Sequence, residues 1–350
     1  MATEMEKQLY PWHQKNWQRL QKMGKSLPHA LIFHGPEGTG IEDFAEIWAK
    51  TLLCEQRQGD GPACSQCSSC RWFDQGSHPD YQRLTPDALD DDSDSGTAEG
   101  DAREETVSKK TKQPSKKIPI NAIRQLHDFV NITTHRGGFR IILIYPAETM
   151  TTEASNALLK MLEEPPAQTF FLLVTNHLSA LLPTILSRCG KLAFPLPDKA
   201  DALAWLKQHQ IKDAEIWLSE QGGAPLAALE ASETDLNGKE HALLLESLSA
   251  PHLATLLKTA EQLQKMPVRQ SIIWVQRWLY DLVSQRQADT IRYHPRHQQT
   301  IIQLAAKADL HRLIAMTKQM VDRRRTAEHP LVPRLVLEDM LMDYLKIFSG

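Results

Sequence analysis

Strands alternating with helices up to residue 197, and almost unbroken helical periodicity after it, predict an α/β domain followed by an all-α region. A third observation sharpens the first half. ALIFHG (30–35), an apolar run of strand length, leads into the glycine loop GPEGTG (35–40), and the amphipathic stretch IEDFAEIWAKTLL (41–53) follows. Strand, glycine loop, helix is the order that a phosphate-binding loop requires.

The elements follow in order. YPWHQKNWQRLQKM (10–23) carries apolar residues at roughly helical spacing and is interrupted at Leu27–Pro28. In the helix after the glycine loop, Phe44, Ile47, Trp48, Thr51 and Leu52 share one face. Residues 85–118 differ in kind: an acidic stretch (DALDDDSDSGTAEGDAREE) runs into a basic one (KKTKQPSKK) with almost no apolar residues. Such composition cannot offset the entropy of ordering, so the segment is expected to be a disordered insertion, a solvated linker or a charged tether. Order is expected to resume with an amphipathic helix at INAIRQLHDFVNITTH and a strand at RIILIY. TTEASNALLKMLEEPP reads as a helix stopped by Pro165–Pro166, TFFLLVTN as a strand and LPTILSRC as a short helix, and KLAFPLP closes the unit. Beyond Pro197, residues 198–232 hold two or three short helices with a break at Gly222–Gly223. Longer amphipathic helices follow: LATLLKTAEQLQK, VRQSIIWVQRWLYDLV, IIQLAAKADLHRLIAMTKQMVDRR and PRLVLEDMLMDYLKIF. They predict a helical bundle.

The 350 residues suffice for two or three domains, and 41% hydrophobic with 24% charged residues is ordinary for a globular chain. A net charge of −3 argues against the whole chain being a polyanion binder. No apolar run reaches the roughly 18 residues of a membrane span, and MATEMEKQLYPW lacks the apolar core of a signal peptide. The expectation is a cytoplasmic protein.

The glycine loop has the right shape and the wrong chemistry. A working loop is Gly, four residues, Gly, then Lys and Ser or Thr. Gly35 and Gly40 keep the separation and Gly38 lies between them, but Ile41 and Glu42 stand where the cationic and metal-binding side chains belong. Ile41 offers no charge, Glu42 opposes an anion, and a lost charge-assisted hydrogen bond costs about 1.5–3 kcal/mol. Backbone amides of 38–40 could still cradle an anion, or the segment could be only a turn. Similarly, Tyr145 and Pro146 follow the apolar run IILI where an active enzyme needs Asp and Glu, with Glu148 nearby but out of register. Two losses predict no ATP cofactor and no intrinsic hydrolysis.

Four of the five cysteines are clustered: Cys54, then Cys64, Cys67 and Cys70, the last three at C-x-x-C spacing. Four thiolates in this arrangement suit a closed, tetrahedral, structural zinc site. An iron–sulfur cluster and unmetallated thiols remain as alternatives. The fifth, Cys189, lies in Ser187–Arg188–Cys189, and by composition alone Arg188 is an ordinary solvated cation. Trp274 and Trp278, one helical turn apart, read as core, as do Trp205 and Trp217. The fourteen histidines show no catalytic spacing.

LPHALIFHGPEGTG, the four-cysteine module, NALLKMLEEPP and LPTILSRC, in this order, resemble the clamp-loader branch of the AAA+ proteins. The resemblance spans about 9–197 without the insertion and continues faintly at PRLVLEDMLMDY. It implies an AAA+ P-loop-type α/β domain over 1–197 with a zinc module at about 54–70, a small helical lid over 198–238, and a helical collar domain over 239–350. Departures at Ile41–Glu42 and Tyr145–Pro146, and a lid stretch GGAPLAAL lacking the nucleotide-sensing arginine, resemble the non-hydrolysing members. The resemblance gives Arg188 a role in trans, as a finger on ATP held by a neighbouring subunit, with Ser187 and Cys189 positioning its loop. It implies as partners the gamma/tau ATPase subunits and the delta subunit, with the sliding clamp and primed DNA reached through the complex, as part of a DNA polymerase holoenzyme. An active gamma/tau-like ATPase with a degenerate loop is the main competing reading. A stand-alone zinc-dependent nucleic-acid binder is a third, disfavoured by the modest charge.

Overall fold

A computed structural model describes residues 8–89, 115–131, 138–233, 238–326 and 332–348, in two compact units, 1–197 and 198–350.

The first unit is built on a five-stranded sheet. Its strands are β1 (Ala30–His34), β2 (Tyr81–Leu84), β3 (Arg140–Ile144), β4 (Thr169–Thr175) and β5 (Gly190–Ala193), in the order β2-β3-β4-β1-β5, with every pairing parallel. α1 (Gln14–Met23) precedes the first strand; parallel strands need crossovers, and the later helices supply them: α2 (Ile41–Leu53), α3 (Ser68–Asp74), α4 (Ile120–Asn131), α5 (Thr152–Glu163) and α6 (Pro183–Arg188). This is the layered α/β architecture that the AAA+ resemblance implies. Both sheet faces are covered, which is why the strands read as continuous apolar runs. Leu31, Phe33, Ile141, Leu143, Leu172 and Val174 point to a core shared with Trp17, Phe44 and Trp48. Their strand neighbours Ile32, Ile142, Ile144, Phe171 and Leu173 point to the opposite core, with Ile123, Leu126 and Leu158.

The sequence expectation for 85–118 needs correction at both ends. Ile118 is fully buried and bridges Met150 in parallel, with Ile118 N–H donating to Thr149 O (3.0 Å) and Thr151 N–H to Ile118 O (3.1 Å). Ala88 N–H donates to Ser115 O (3.0 Å), and Asp87–Leu89 form a 3-10 turn. One apolar residue among lysines is enough, because its backbone completes the edge beside Met150. Residues 90–114 lie outside the described residues. Also unforeseen were α3 and the short edge strand β2.

The second unit is all-helical among its described residues: α7 (Lys199–Gln208), α8 (Ala214–Glu220), α9 (Pro225–Glu233), α10 (Gly238–Ser249), α11 (Leu253–Leu263), α12 (Val268–Ala288), α13 (Gln298–Lys307), α14 (Leu310–Thr326) and α15 (Pro333–Lys346). Arg277 and Arg292 tie α12 and the loop after it to the carbonyls of Glu220 (2.6 Å) and Gly222 (3.1 Å). The stretch from 301, read as one helix in the sequence, is two. Asp309 interrupts it, accepting from Arg312 N–H (2.9 Å) as the cap of α14, while its own N–H donates to Ile347 O (3.0 Å). Trp274 and Trp278 are core residues, as is Trp205, whereas Trp217 is only partly buried.

Two buried polar arrangements hold this unit. Trp278 Nε1–H donates to Tyr344 Oη (2.9 Å), which donates to Leu248 O (2.8 Å), joining α12, α15 and α10. Asp281, wholly buried, accepts from the backbone N–H of Arg292, Tyr293 and His294 and pairs with His294 Nδ1 (2.9 Å).

Tyr344→Phe removes the acceptor of Trp278 and the donor to Leu248, and should cost about 1–3 kcal/mol, read as a lower urea midpoint at unchanged slope. A second expectation concerns His13, 2% exposed among Phe44, Phe194, Tyr10 and Trp12, with neither ring nitrogen hydrogen-bonded. Burial pushes its pKa from 6.5 down to about 4. The folded state then binds fewer protons than the unfolded state between those values. Stability is present above pH 6.5 and falls on acidification toward pH 4, by at most about 1.4 kcal/mol per unit. His13→Leu should flatten that part of the stability–pH curve, measured by urea unfolding from pH 7 to 4.5.

Candidate functional site

The glycine loop is built tightly. A Cβ at Gly35 would lie 2.1 Å from the Phe194 carbonyl oxygen, so only glycine passes between β1 and the end of β5. Gly38 and Gly40 have φ of +74° and +79°, and Gly40 caps α2. Thr39 is fully buried, with Oγ1–H donating to Pro36 O (2.8 Å). Residues before α1 lie over this turn: Trp12 Nε1–H donates to Thr39 O (2.9 Å), and Tyr10, stacked on Trp12, donates its hydroxyl to Asp43 Oδ2 (2.7 Å).

The two residues that replace the usual Lys–Thr are both engaged elsewhere. Ile41 is turned into the apolar core with Phe33, Phe44 and Phe194. Glu42 pairs with Arg83 Nη2 (2.6 Å), and Arg83 Nη1 pairs with Glu46 Oε1 (2.7 Å), so one guanidinium from β2 clasps two carboxylates a helical turn apart on α2. Glu42 and Asp43 in the first turn suit the positive end of the helix dipole. The same charges oppose a polyphosphate. At the end of β3, burial pushes the Tyr145 phenol well above its usual range, with the Glu42 charge adding to it. Glu148 Oε1 accepts the Asn176 backbone N–H (3.1 Å), a structural bond that uses the carboxylate found out of register in the sequence. Arg83 escaped sequence reasoning because β2 carries a single buried apolar residue, Leu84.

The four cysteines converge. The Sγ atoms of Cys54, Cys64, Cys67 and Cys70 all lie within 4.8 Å of one another, Cys64 and Cys70 being 3.9 Å apart. A tetrahedron with metal–sulfur bonds near 2.3 Å has sulfur–sulfur edges of about 3.8 Å. Backbone N–H groups point at the sulfurs: Cys64 N to Cys54 Sγ (3.3 Å), Cys67 N to Cys64 Sγ (3.4 Å) and Cys70 N to Cys67 Sγ (3.5 Å). The N–H groups of Gln66 and Cys67 bring the Cys64 thiol down to about 6, while burial raises Cys70. An all-sulfur donor set with these spacings fits a thiophilic ion, and the described cluster can bind one.

Scaffolding around it is specific. Cys54 ends α2 and Cys67 caps α3. Buried Ser69 donates to Leu53 O (2.6 Å) and contacts His78 Nε2 (2.9 Å), while His78 Nδ1 accepts Asp80 N–H (3.1 Å). That last bond leaves the ring proton on Nε2, so His78 donates to Ser69 and does not act as its base. Trp17 Nε1–H to Asp60 O (3.2 Å) and Ala63 N–H to Thr51 Oγ1 (3.1 Å) pin the intervening loop.

Arg188 ends α6, about a third exposed. Nη1 donates to Thr184 O (3.0 Å) and Ser187 Oγ (3.3 Å), and Nη2 pairs with Glu163 at the end of α5. Cys189 is buried behind it, and burial raises its thiol to about 11, so it stays a neutral packing residue apart from the cluster. Ser187 Oγ–H in turn donates to Thr184 O (2.9 Å).

Comparison with known proteins shows the family of the chain. A family model described as "DNA polymerase III, delta subunit" matches residues 12–198, and one described as "DNA polymerase III, delta subunit, C terminal" matches 239–345. A Pseudomonas aeruginosa protein named DNA polymerase III subunit delta' is 37% identical over 224 residues, 63% of this chain and 60% of that protein's length. Its counterpart of the same name from Yersinia pestis is 30% identical over 329 residues, covering 90% of this chain and 88% of the relative. A solved Thermotoga maritima structure, described as a DNA polymerase III gamma subunit-related protein, aligns over 95% of this chain and 99% of its own at 17% identity and a TM-score of 0.45. On the strength of the sequence matches, the chain belongs to the DNA polymerase III delta' subunit family.

Proposed function

We propose that the chain is a non-hydrolysing clamp-loader subunit of the DNA polymerase III holoenzyme. The observation that carries this is the contrast between its two nucleotide-related features. Ile41 is buried and Glu42 is held by Arg83, so the loop offers no cation to a phosphate. Arg188, in contrast, stands at the surface at a helix end. In this reading Arg188 reaches in trans to the γ-phosphate of ATP on a neighbouring gamma/tau ATPase subunit. A guanidinium stays charged and can grip two oxygens, and such fingers contribute about 10³–10⁵ in rate in related phosphoryl transfers. The other partners are the delta subunit and, through the complex, the sliding clamp and primed DNA. The unit 198–350 divides into a lid, 198–238, and a collar, 239–350, that packs against the other subunits. Among the described residues, no helix is long and apolar enough to cross a membrane.

The cysteine cluster is read as a structural zinc site held by Cys54, Cys64, Cys67 and Cys70. Zinc has no redox chemistry, and four thiolates leave no open coordination position. The site then serves folding, not catalysis.

Two measurements test the role. Titration of the isolated chain with ATP and magnesium should give no saturable binding. In the reconstituted clamp loader, Arg188→Ala should leave assembly intact on gel filtration and abolish turnover at one ATPase site; unchanged DNA-stimulated hydrolysis would sink the proposal. For the metal, elemental analysis should find about one zinc per chain. Its removal by a chelator should melt the 54–78 segment, seen as loss of amide protection there, because ion binding is folding free energy for such modules.

A further inference from the structure

Arg188 is not idle in the described structure. Its Nη2 is paired with the Glu163 carboxylate, while Nη1 rests on Thr184 O and Ser187 Oγ. The two side chains come from the ends of different helices, α5 and α6, whose backbones are fixed by the core through Leu158, Leu162 and Ile185. The Arg188 side chain is 35% exposed and that of Glu163 49%. Among the described residues, the Glu163 carboxylate makes its ion pair with Arg188 alone.

We propose that Glu163 is a latch on the arginine finger, an inference that rests on the role given to Arg188 above. The Nη1 contacts are with neutral oxygens and orient the guanidinium without neutralising it. Glu163 supplies the only formal negative charge paired with it in the described residues. A γ-phosphate would bring negative charge to the same donor edge, and the two anions cannot share it without repulsion. Engagement therefore requires exchange of Glu163 for phosphate. Exposed ion pairs are weak, so the exchange is easy, and the carboxylate imposes only a small bias against engagement. When the finger's competent state is only partly populated, apparent affinity falls by that fraction. Glu163 is thus a positioning residue acting through Arg188.

The test is steady-state ATPase of the reconstituted clamp loader with clamp and primed DNA, comparing wild type, Glu163→Gln, Arg188→Ala and the double variant. Glu163→Gln keeps the shape and the hydrogen-bonding capacity and removes the charge. It should raise kcat/KM about two- to fivefold, the scale of an exposed pair, and the gain should shrink as salt rises. The gain should vanish in the Arg188→Ala background. A merely structural residue would lower activity or change nothing, and either of those results overturns the latch. If Arg188→Ala depresses hydrolysis while Glu163→Gln is neutral, only the latch fails. If Arg188→Ala is itself without effect, the finger and the latch fall together.

Discussion

The approach of the Gly35 backbone to the Phe194 carbonyl is the constraint on which the first unit depends. It leaves no room for a side chain, and so sets how β1 leaves the sheet and α2 begins. With α2 seated, Phe44 and Trp48 pack against Trp17 and Phe33, Glu42 and Glu46 come within reach of Arg83, and Cys54 arrives at the far end of the helix. The turn is kept for what it does to the chain path. Its glycine spacing is a statement about backbone geometry, which survives when the phosphate chemistry does not.

Charge is handled by two strategies in this unit. Along α2, cations are shared among nearby carboxylates: Arg83 is spent on Glu42 and Glu46, and Lys50 pairs with Asp74. At the end of α6, the cation remains partly solvated and is restrained by one weak pair. Two carboxylates shared by one guanidinium make the Arg83 cluster structural. Arg83 and Arg188 are equally exposed, each at 35% of the side chain, so what separates them is the number of carboxylates each one holds. The same distinction separates the cysteines: four converge with backbone N–H groups on their sulfurs, and Cys189 is simply packed.

Most of the sheet was legible in the sequence because strands covered on both faces leave unbroken apolar runs. β1, β3 and β4 are such runs, and the cysteine spacing foretold a cluster that the folded chain does bring together. What could not be read falls into two kinds. β2 and Ile118 are short edge elements beside a polar tract, where one apolar residue is indistinguishable from a loop residue until its partner strand is known. Arg83 and Glu163 find their partners far along the chain, and no local pattern marks them or the Ser69–His78 strut, which spans nine residues. The break at Asp309 was missed for a different reason: helical periodicity continues through it, and the interruption comes from a cap and from a bond to Ile347 at the end of α15.

The hydrogen bond from Ala88 to Ser115 brings the two margins of the polar tract to a single point at the sheet edge. Closing a flexible loop between two such anchors costs only about 0.6 kcal/mol more for each doubling of its length. The position is therefore a natural port for grafting. A fluorescent protein, an affinity handle or a cross-linking cassette placed between 90 and 114 would leave β2, β3 and the buried Ile118 bridge in register. The chain could then be followed by such a label without altering either terminus.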